Sequence, residues 1–284
     1  MKLAITGGTG LVGRFLVEDA LAQGDAVTLL ARQAPPSGFF SRPVTHRPYA
    51  LGQRPELRGF DAVIHCAFSH LPGRYRGGEG DDPDGFRRAN LDGSITLFEA
   101  AKAAAVPRLV FLSTRAVYGD YPAGTCLSED LPPRPDTLYG TVKWQAEQAL
   151  AELCGPGFTG LSLRATGIYG PAGPGRRHKW AELFADFRAG RTIAPRRGTE
   201  LHGQDLAAAA RLLMTAPPGA WNLSDLVLDR HDLLAMVADL TGIDHPLPPR
   251  ATGKLSAMAT DRLRALGWRP GGMGLLRATL PALI

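Results

Sequence analysis

Residues 2–23 read KLAITGGTGLVGRFLVEDALAQ: a short apolar run, a turn studded with glycine, and an amphipathic stretch in direct succession. The run 2–6 has the makeup of a buried strand. Leu11, Val12, Phe15, Leu16 and Ala20 recur at helical spacing, so 11–23 reads as a helix with one face on a sheet. The pattern continues through the first two thirds of the chain. Strands are expected at 26–31, 61–68, 108–114 and 160–165, weaker ones at 45–49 and 220–223, and a second long helix at 86–105. Strands alternating with helices give an α/β fold, a doubly wound parallel sheet covered on both faces.

After Gly170 the alternation loosens, with helices expected at 179–189, 205–215 and 231–241. No repeat and no long linker divides the chain. The reading is a dinucleotide-binding domain at 1–166 with 203–225, and a small substrate-binding lobe at 167–202 with 226–284. Residues 71–85 hold five glycines and hardly an apolar side chain, which reads as a mobile loop after a strand.

Composition removes several classes. With 284 residues, 44% of them hydrophobic, the chain can bury a large core without disulfides or a structural metal. Its three cysteines, Cys66, Cys126 and Cys154, show no metal-ligand spacing, and a reducing cytoplasm suits them. No apolar run approaches the roughly 20 residues of a membrane helix. The opening residues enter a strand directly, so no signal peptide is expected. The net charge of +5 comes from arginines scattered among acidic residues, which argues against nucleic acid as a partner. Arg74 and Arg76, Arg87 and Arg88, Arg176 and Arg177, and Arg196 and Arg197 form small clusters, each readable as a solvated face or a phosphate contact.

Gly7, Gly10 and Gly13 lie where a dinucleotide pyrophosphate would rest on a helix N-terminus. With 34 glycines in the chain this spacing arises roughly 0.5 times by chance, so its placement between strand and helix carries the argument. The second strand ends Leu30-Ala31-Arg32, where a carboxylate would mark NAD. Ala31 removes that repulsion and Arg32 offers a guanidinium for a 2′-phosphate, so the cofactor reading is NADP, with NAD the alternative. Arg32 stacked on adenine or facing water is the blander account.

Tyr139 and Lys143 stand four apart at the start of a strongly helical stretch and share one helix face. Such a pair arises about 0.1 times by chance here, which makes it more informative than the glycines. A phenol with an ordinary pKa near 10 becomes a usable acid or base once an ammonium and a nicotinamide cation favour the phenolate. Thr114 closes the strand 108–114 at the carboxyl edge of the sheet, where its hydroxyl could hold a substrate oxygen. His65 reads as a core histidine and Cys66 as a small core side chain. His178 follows two arginines in the substrate region, and His70 and His202 lack metal-ligand partners. Trp268 and Leu266 are expected to anchor the carboxyl-terminal lobe.

These stretches, with DAVIHCA at 61–67, Asn90, STRAVYG at 113–119, RATGIYGP at 164–171, Asp205 and LGWRP at 266–270, resemble the extended short-chain dehydrogenase/reductases, in their NAD-dependent epimerase/dehydratase branch. The resemblance implies a Rossmann-like sheet of about seven strands and a small-molecule substrate. It implies Tyr139 as catalytic acid/base, Lys143 on the nicotinamide ribose, and Thr114 orienting the substrate hydroxyl. Gly7, Gly10, Leu11, Val12, Gly13, Arg32, Ala67, Asn90, Tyr139 and Lys143 would then hold the dinucleotide. It also implies a homodimer through 86–105 and 136–153. Thr114-Arg115-Ala116 replaces the Thr-Asp-Glu of the dehydratases, so elimination is not expected. Gly198 stands where related epimerases carry a diphosphate-binding arginine, leaving Arg196 or Arg197 to substitute. The acidic adenine contact expected near Ala50 is missing, and the substrate lobe is short. Three functions stay open: net oxidoreduction, epimerisation with a retained cofactor, and dinucleotide sensing without chemistry.

Overall fold

The computed structural model describes residues 1–71 and 77–284. In chain order the elements are β1 (Lys2–Thr6), α1 (Leu11–Ala22), β2 (Ala26–Ala31), β3 (Thr45–Pro48), β4 (Ala62–His65), α2 (Pro83–Arg87), a π turn (Arg88–Asp92) and α3 (Gly93–Ala103). Then come β5 (Arg108–Thr114), a 3-10 turn (Arg115–Tyr118), α4 (Leu138–Leu153), β6 (Thr159–Ala165), β7 (Gly167–Tyr169), α5 (Ala181–Arg188), β8 (Arg197–His202) and α6 (Gly203–Leu212). The chain closes with β9 (Gly219–Leu223), β10 (Leu226–Asp229), α7 (Arg230–Thr241), α8 (Asp261–Ala265), α9 (Gly272–Thr279) and a last 3-10 turn (Leu280–Ala282).

Seven strands pair in the order β3-β2-β1-β4-β5-β6-β9, every pair parallel. Burial on both faces explains the apolar centres of β1 and β4. Along β1, Leu3 and Ile5 enter one core with Phe15, Leu16 and Leu206, while Ala4 enters the other with Phe98, Phe111 and Val142. The chain reverses direction across the sheet at β1 and β4, and the crevice over their carboxyl ends is where such folds take ligands.

A second sheet, β10-β8-β7, begins just past β6 and covers a separate core of Tyr169, Trp180, Phe184, Phe187 and Leu233. Trp268 is buried and its indole N–H donates to the Asp205 carbonyl at 2.9 Å, tying the carboxyl-terminal segment to α6. Leu266 is exposed and, among the described residues, belongs to none of the apolar cores.

Some boundaries differ from the sequence reading. The strand expected at 61–68 ends at His65, because the N–H groups of Ala67 and Ser69 beyond it go to the side chains of Thr6 and Asn90 and not to a neighbouring strand's backbone. The helix expected at 86–105 starts at Pro83, where Asp82 caps it by accepting from the Gly85 N–H at 2.8 Å, and it loosens to a π turn at Arg88–Asp92. The end of the glycine-rich stretch 71–85 is therefore helical. Its residues 72–76, with Arg74 and Arg76, lie outside the described residues.

Candidate functional site

The carboxyl ends of β1, β4, β5 and β6 supply the site. Gly7 turns the chain out of β1 at φ +68°, a region that side chains disfavour. A Cβ there would lie 2.6–2.8 Å from the backbone of Cys66 and Ala67. A Cβ on Gly13 would lie 2.3 Å from the Gly7 carbonyl oxygen. The Gly10 N–H donates to that carbonyl at 3.0 Å, and Gly10 opens α1. Gly10 is exposed and Leu11 and Val12 are half-buried, so the positive end of a twelve-residue helix meets the crevice with no acidic residue in its first turn. A turn pressed this close, at the exposed positive end of a helix, fits a pyrophosphate.

Below it runs an ordered chain of donors. The N–H groups of Cys66 and Ala67 donate to Thr6 Oγ1, both at 3.1 Å, and Thr6 Oγ1 is 2.7 Å from His65 Nδ1. His65 Nε2 is 3.0 Å from Ser94 Oγ, which donates to the Asn90 carbonyl. Since the Ser94 proton is used there, His65 carries its proton on Nε2 and accepts from Thr6 on Nδ1. Burial, with Lys143 nearby, pulls the imidazole down to about 3, so it is neutral. His65 is the core histidine that its strand suggested.

Asn90, which the resemblance implies as a dinucleotide residue, lies in the π turn Arg88–Asp92. It is buried, its amide N–H groups donate to the carbonyls of Ser69 (2.7 Å) and Phe86 (3.0 Å), and its Oδ1 accepts from the Ser69 N–H (2.7 Å). These bonds clamp the segment after β4 that contains Ala67. Arg32 is exposed at the end of β2, one strand from the glycine turn.

Thr114 ends β5 with its Oγ1 accepting from the Ala116 N–H at 3.2 Å, which caps the 3-10 turn and leaves the hydroxyl proton to donate. Thr137 caps α4 in the same manner, and the helix carries Tyr139 and Lys143 one turn apart. The half-buried Tyr139 ring stands edge-on to Phe68, centroids 5.2 Å apart. Lys143 is only 4% exposed, its Nζ lying 4.6 Å from the Phe68 ring centre and 4.5 Å from that of Phe111. Nζ donates to the Leu112 carbonyl at 2.7 Å. Burial pulls the ammonium down to about 7, opposed by Cys66 and Glu147. A lysine poised near neutrality and bonded to β5 two residues before Thr114 can share or relay a proton with its helix neighbour. Cys66 is half-buried and packs against the main core, its thiol pushed up to about 12 by desolvation, which suits its reading as a small packing side chain.

A buried polar row one residue below Thr114 was not singled out from sequence. Arg164 grips Glu147 with Nη2 at 2.7 Å and Nε at 3.1 Å, and Ser113 donates to the same carboxylate. Arg164 Nη1 also donates to the Tyr118 hydroxyl at 2.9 Å, which donates to Asn222 Oδ1 at 2.8 Å. The signal was an arginine inside the apolar run 160–165 and a glutamate one turn beyond Lys143.

On the lobe side, Lys179 and Glu200 pair over Gly167, whose Cβ would collide with the lysine. Arg196 folds back so that Nη2 comes within 3.9 Å of where a Gly198 Cβ would sit, while Arg197 donates to the Gly253 carbonyl. Arg115 donates to the Ser256 carbonyl at 2.9 Å. His178 packs against Phe184, ring centres 5.5 Å apart. His202 caps α6, its Nδ1 accepting from the Gln204 N–H, and Nε2 meets Thr279 Oγ1 at 3.3 Å. Among the described residues no His, Cys, Asp and Glu group could hold a metal, and no helix is long and apolar enough to cross a membrane.

A family model described as NAD dependent epimerase/dehydratase family matches residues 3–224. A ketoreductase of Stigmatella aurantiaca, acting on 4-hydroxy-2-methyl-3-oxo-4-farnesyl-3,4-dihydroquinoline-1-oxide, is 32% identical over 188 residues, covering 60% of this chain and 51% of that protein. The UDP-glucose 4-epimerase of Streptomyces lividans is 26% identical over 314 residues, covering 95% of this chain and 91% of that one. The structure of a Thermus thermophilus UDP-glucose 4-epimerase in complex with NAD superposes with a TM-score of 0.80 at 28% identity, covering 100% and 99% of the two chains. The matches to the ketoreductase, a dTDP-6-deoxy-L-talose 4-dehydrogenase and a Corynebacterium epimerase span about half the length of those relatives.

Proposed function

Because the chain belongs to the NAD dependent epimerase/dehydratase family, we propose that it is an NAD(P)-dependent oxidoreductase acting on a sugar-like or small carbonyl or hydroxyl substrate. The observation that carries the reading is the Tyr139–Lys143 stripe of α4, with Lys143 buried near neutrality opposite the end of β5 that bears Thr114. Thr114 donates its hydroxyl proton to the substrate oxygen and fixes its orientation. Tyr139 delivers a proton to that oxygen in reduction and removes it in oxidation, and Lys143 holds the compensating positive charge.

The dinucleotide fits the cradle at Gly7, Gly10 and Gly13, and when bound it supplies or accepts the hydride. The backbone of Gly10, Leu11 and Val12 would hold its pyrophosphate, Ala67 would line the site, and Lys143 would reach the ribose. Arg32 selects NADP over NAD by pairing with the 2′-phosphate. We assign the dinucleotide to 1–166 with 203–225 and the substrate to 167–202 with 226–284. Elimination is excluded from the reading because Arg115 and Ala116 offer no acid pair.

The test is cofactor turnover with a panel of sugars, sugar lactones and small ketones, with Tyr139→Phe beside the native enzyme. A loss of about 10²–10⁴-fold is expected, and a variant with full turnover on an accepted substrate would refute the assignment. Epimerisation is the second reading, supported by the near full-length match to UDP-glucose 4-epimerases and by Arg196 lying over Gly198. It expects near-stoichiometric dinucleotide released from denatured protein. Normal phenotype and NADPH binding in Tyr139→Phe and Lys143→Ala would instead favour a sensor. The same reading takes the reducing cytoplasm as the site of action and two copies paired through α3 and α4. Among the described residues, no exposed large apolar side chain lies on those helices, so sedimentation should find a weak, polar dimer.

A further inference from the structure

The polar row beneath Thr114 is a single rung of the sheet. Ser113 on β5 pairs with Arg164 on β6, which pairs with Asn222 on β9, and the next rung up is Thr114, Ala165 and Leu223. All three side chains of the polar rung bond toward one face. There Glu147 closes the row from α4, two turns after Tyr139 and one after Lys143. Ser113, Tyr118, Glu147, Arg164 and Asn222 are each at most 5% exposed. Asn222 extends the row through its Nδ2 to the Leu127 carbonyl and through its backbone N–H to Glu129.

A buried, bidentate ion pair of this kind stabilises a fold little compared with an apolar pair of equal volume, so its value lies in what the charges do locally. Lys143 has Tyr139 one turn before it and Glu147 one turn after it on α4, interacts electrostatically with Cys66, Glu147 and His65, and lies over the Phe68 and Phe111 rings. His65 is a neutral imidazole and Cys66 a protonated thiol at neutral pH, which makes Glu147 their negatively charged companion. We propose that Glu147, locked by Arg164 and Ser113, is a positioning residue that keeps Lys143 cationic and fixes the height of α4 against the rung that carries Thr114. The inference rests on the proposed function only for the use to which Lys143 is put.

The test is a pH titration of lysine labelled with ¹³C at Cε in the protein without dinucleotide. The chain has five lysines, and Lys143→Arg assigns the resonance of interest. Glu147→Gln should lower the Lys143 midpoint by about half a unit or more, as expected for losing a unit charge one helical turn away. The double variant Glu147→Leu with Arg164→Met replaces the pair by apolar groups and should recover most of the thermal stability while leaving the midpoint low. An unchanged midpoint in either variant, or one that returns to the native value in step with stability in the double variant, overturns the proposal. Because this titration needs no turnover, a native protein inactive on every substrate would defeat the proposed function and leave this result standing.

Discussion

Gly13→Ala isolates the turn on which nucleotide binding depends. The new methyl carbon would sit 2.3 Å from Gly7 O and 2.8 Å from Gly7 C and Gly8 Cα, against ordinary carbon contacts of about 3.5 Å. Gly7 cannot retreat, because it already lies against the backbone of Cys66 and Ala67, which Thr6 holds. The first turn of α1 must therefore withdraw by about 1 Å, and overpacking of this kind costs about 1–3 kcal/mol. A second alanine serves as reference. Gly274 lies in α9 with no heavy atom within 4 Å of its would-be Cβ, so Gly274→Ala should gain about 0.5–1 kcal/mol from helix propensity. By calorimetry Gly13→Ala should melt several degrees below Gly274→Ala, at about 2–4 °C per kcal/mol for a chain of this size. By titration calorimetry its affinity for NADP and NAD should fall at least about tenfold, since the helix end no longer meets the pyrophosphate. Equal melting temperatures together with affinities within twofold of native would show that the turn is not packed as described.

Arg32→Ala should weaken NADP binding by about tenfold and leave NAD within about twofold; equal losses for both would remove Arg32 from 2′-phosphate recognition. Asn90→Ala deletes three hydrogen bonds to Ser69 and Phe86, and chemical denaturation should register a loss of about 1–3 kcal/mol, with an unchanged midpoint contradicting the clamp. Burial holds His65 at about 3 and His202 at about 4, below the ordinary 6.5, so the unfolded chain takes up their protons first and stability falls as pH drops from about 6.5 toward 4. Burial of Asp205 raises its carboxyl to about 6 and offsets part of this by protonating in the folded state first. The net loss between pH 7 and 5 should be roughly 2–3 kcal/mol in urea titrations and smaller in His202→Gln; a flat profile would mean that neither ring is held neutral.

Local pattern was enough for the α/β layering, the glycine turn and the helix bearing Tyr139 and Lys143, because each is encoded within about a dozen consecutive residues. Strand β5 came out with its observed ends, and α1 within a residue, since apolar runs bounded by turn residues leave little choice. What only the tertiary structure decided are relations between distant segments. The part taken by Asn90 depends on Ser69, 21 residues away. The rung of Ser113, Arg164 and Asn222 needs three strands in one register, and the tautomer of His65 follows from Thr6 and Ser94. Periodicity records which face a residue turns to the core, and it holds no information on which residue of another element stands opposite.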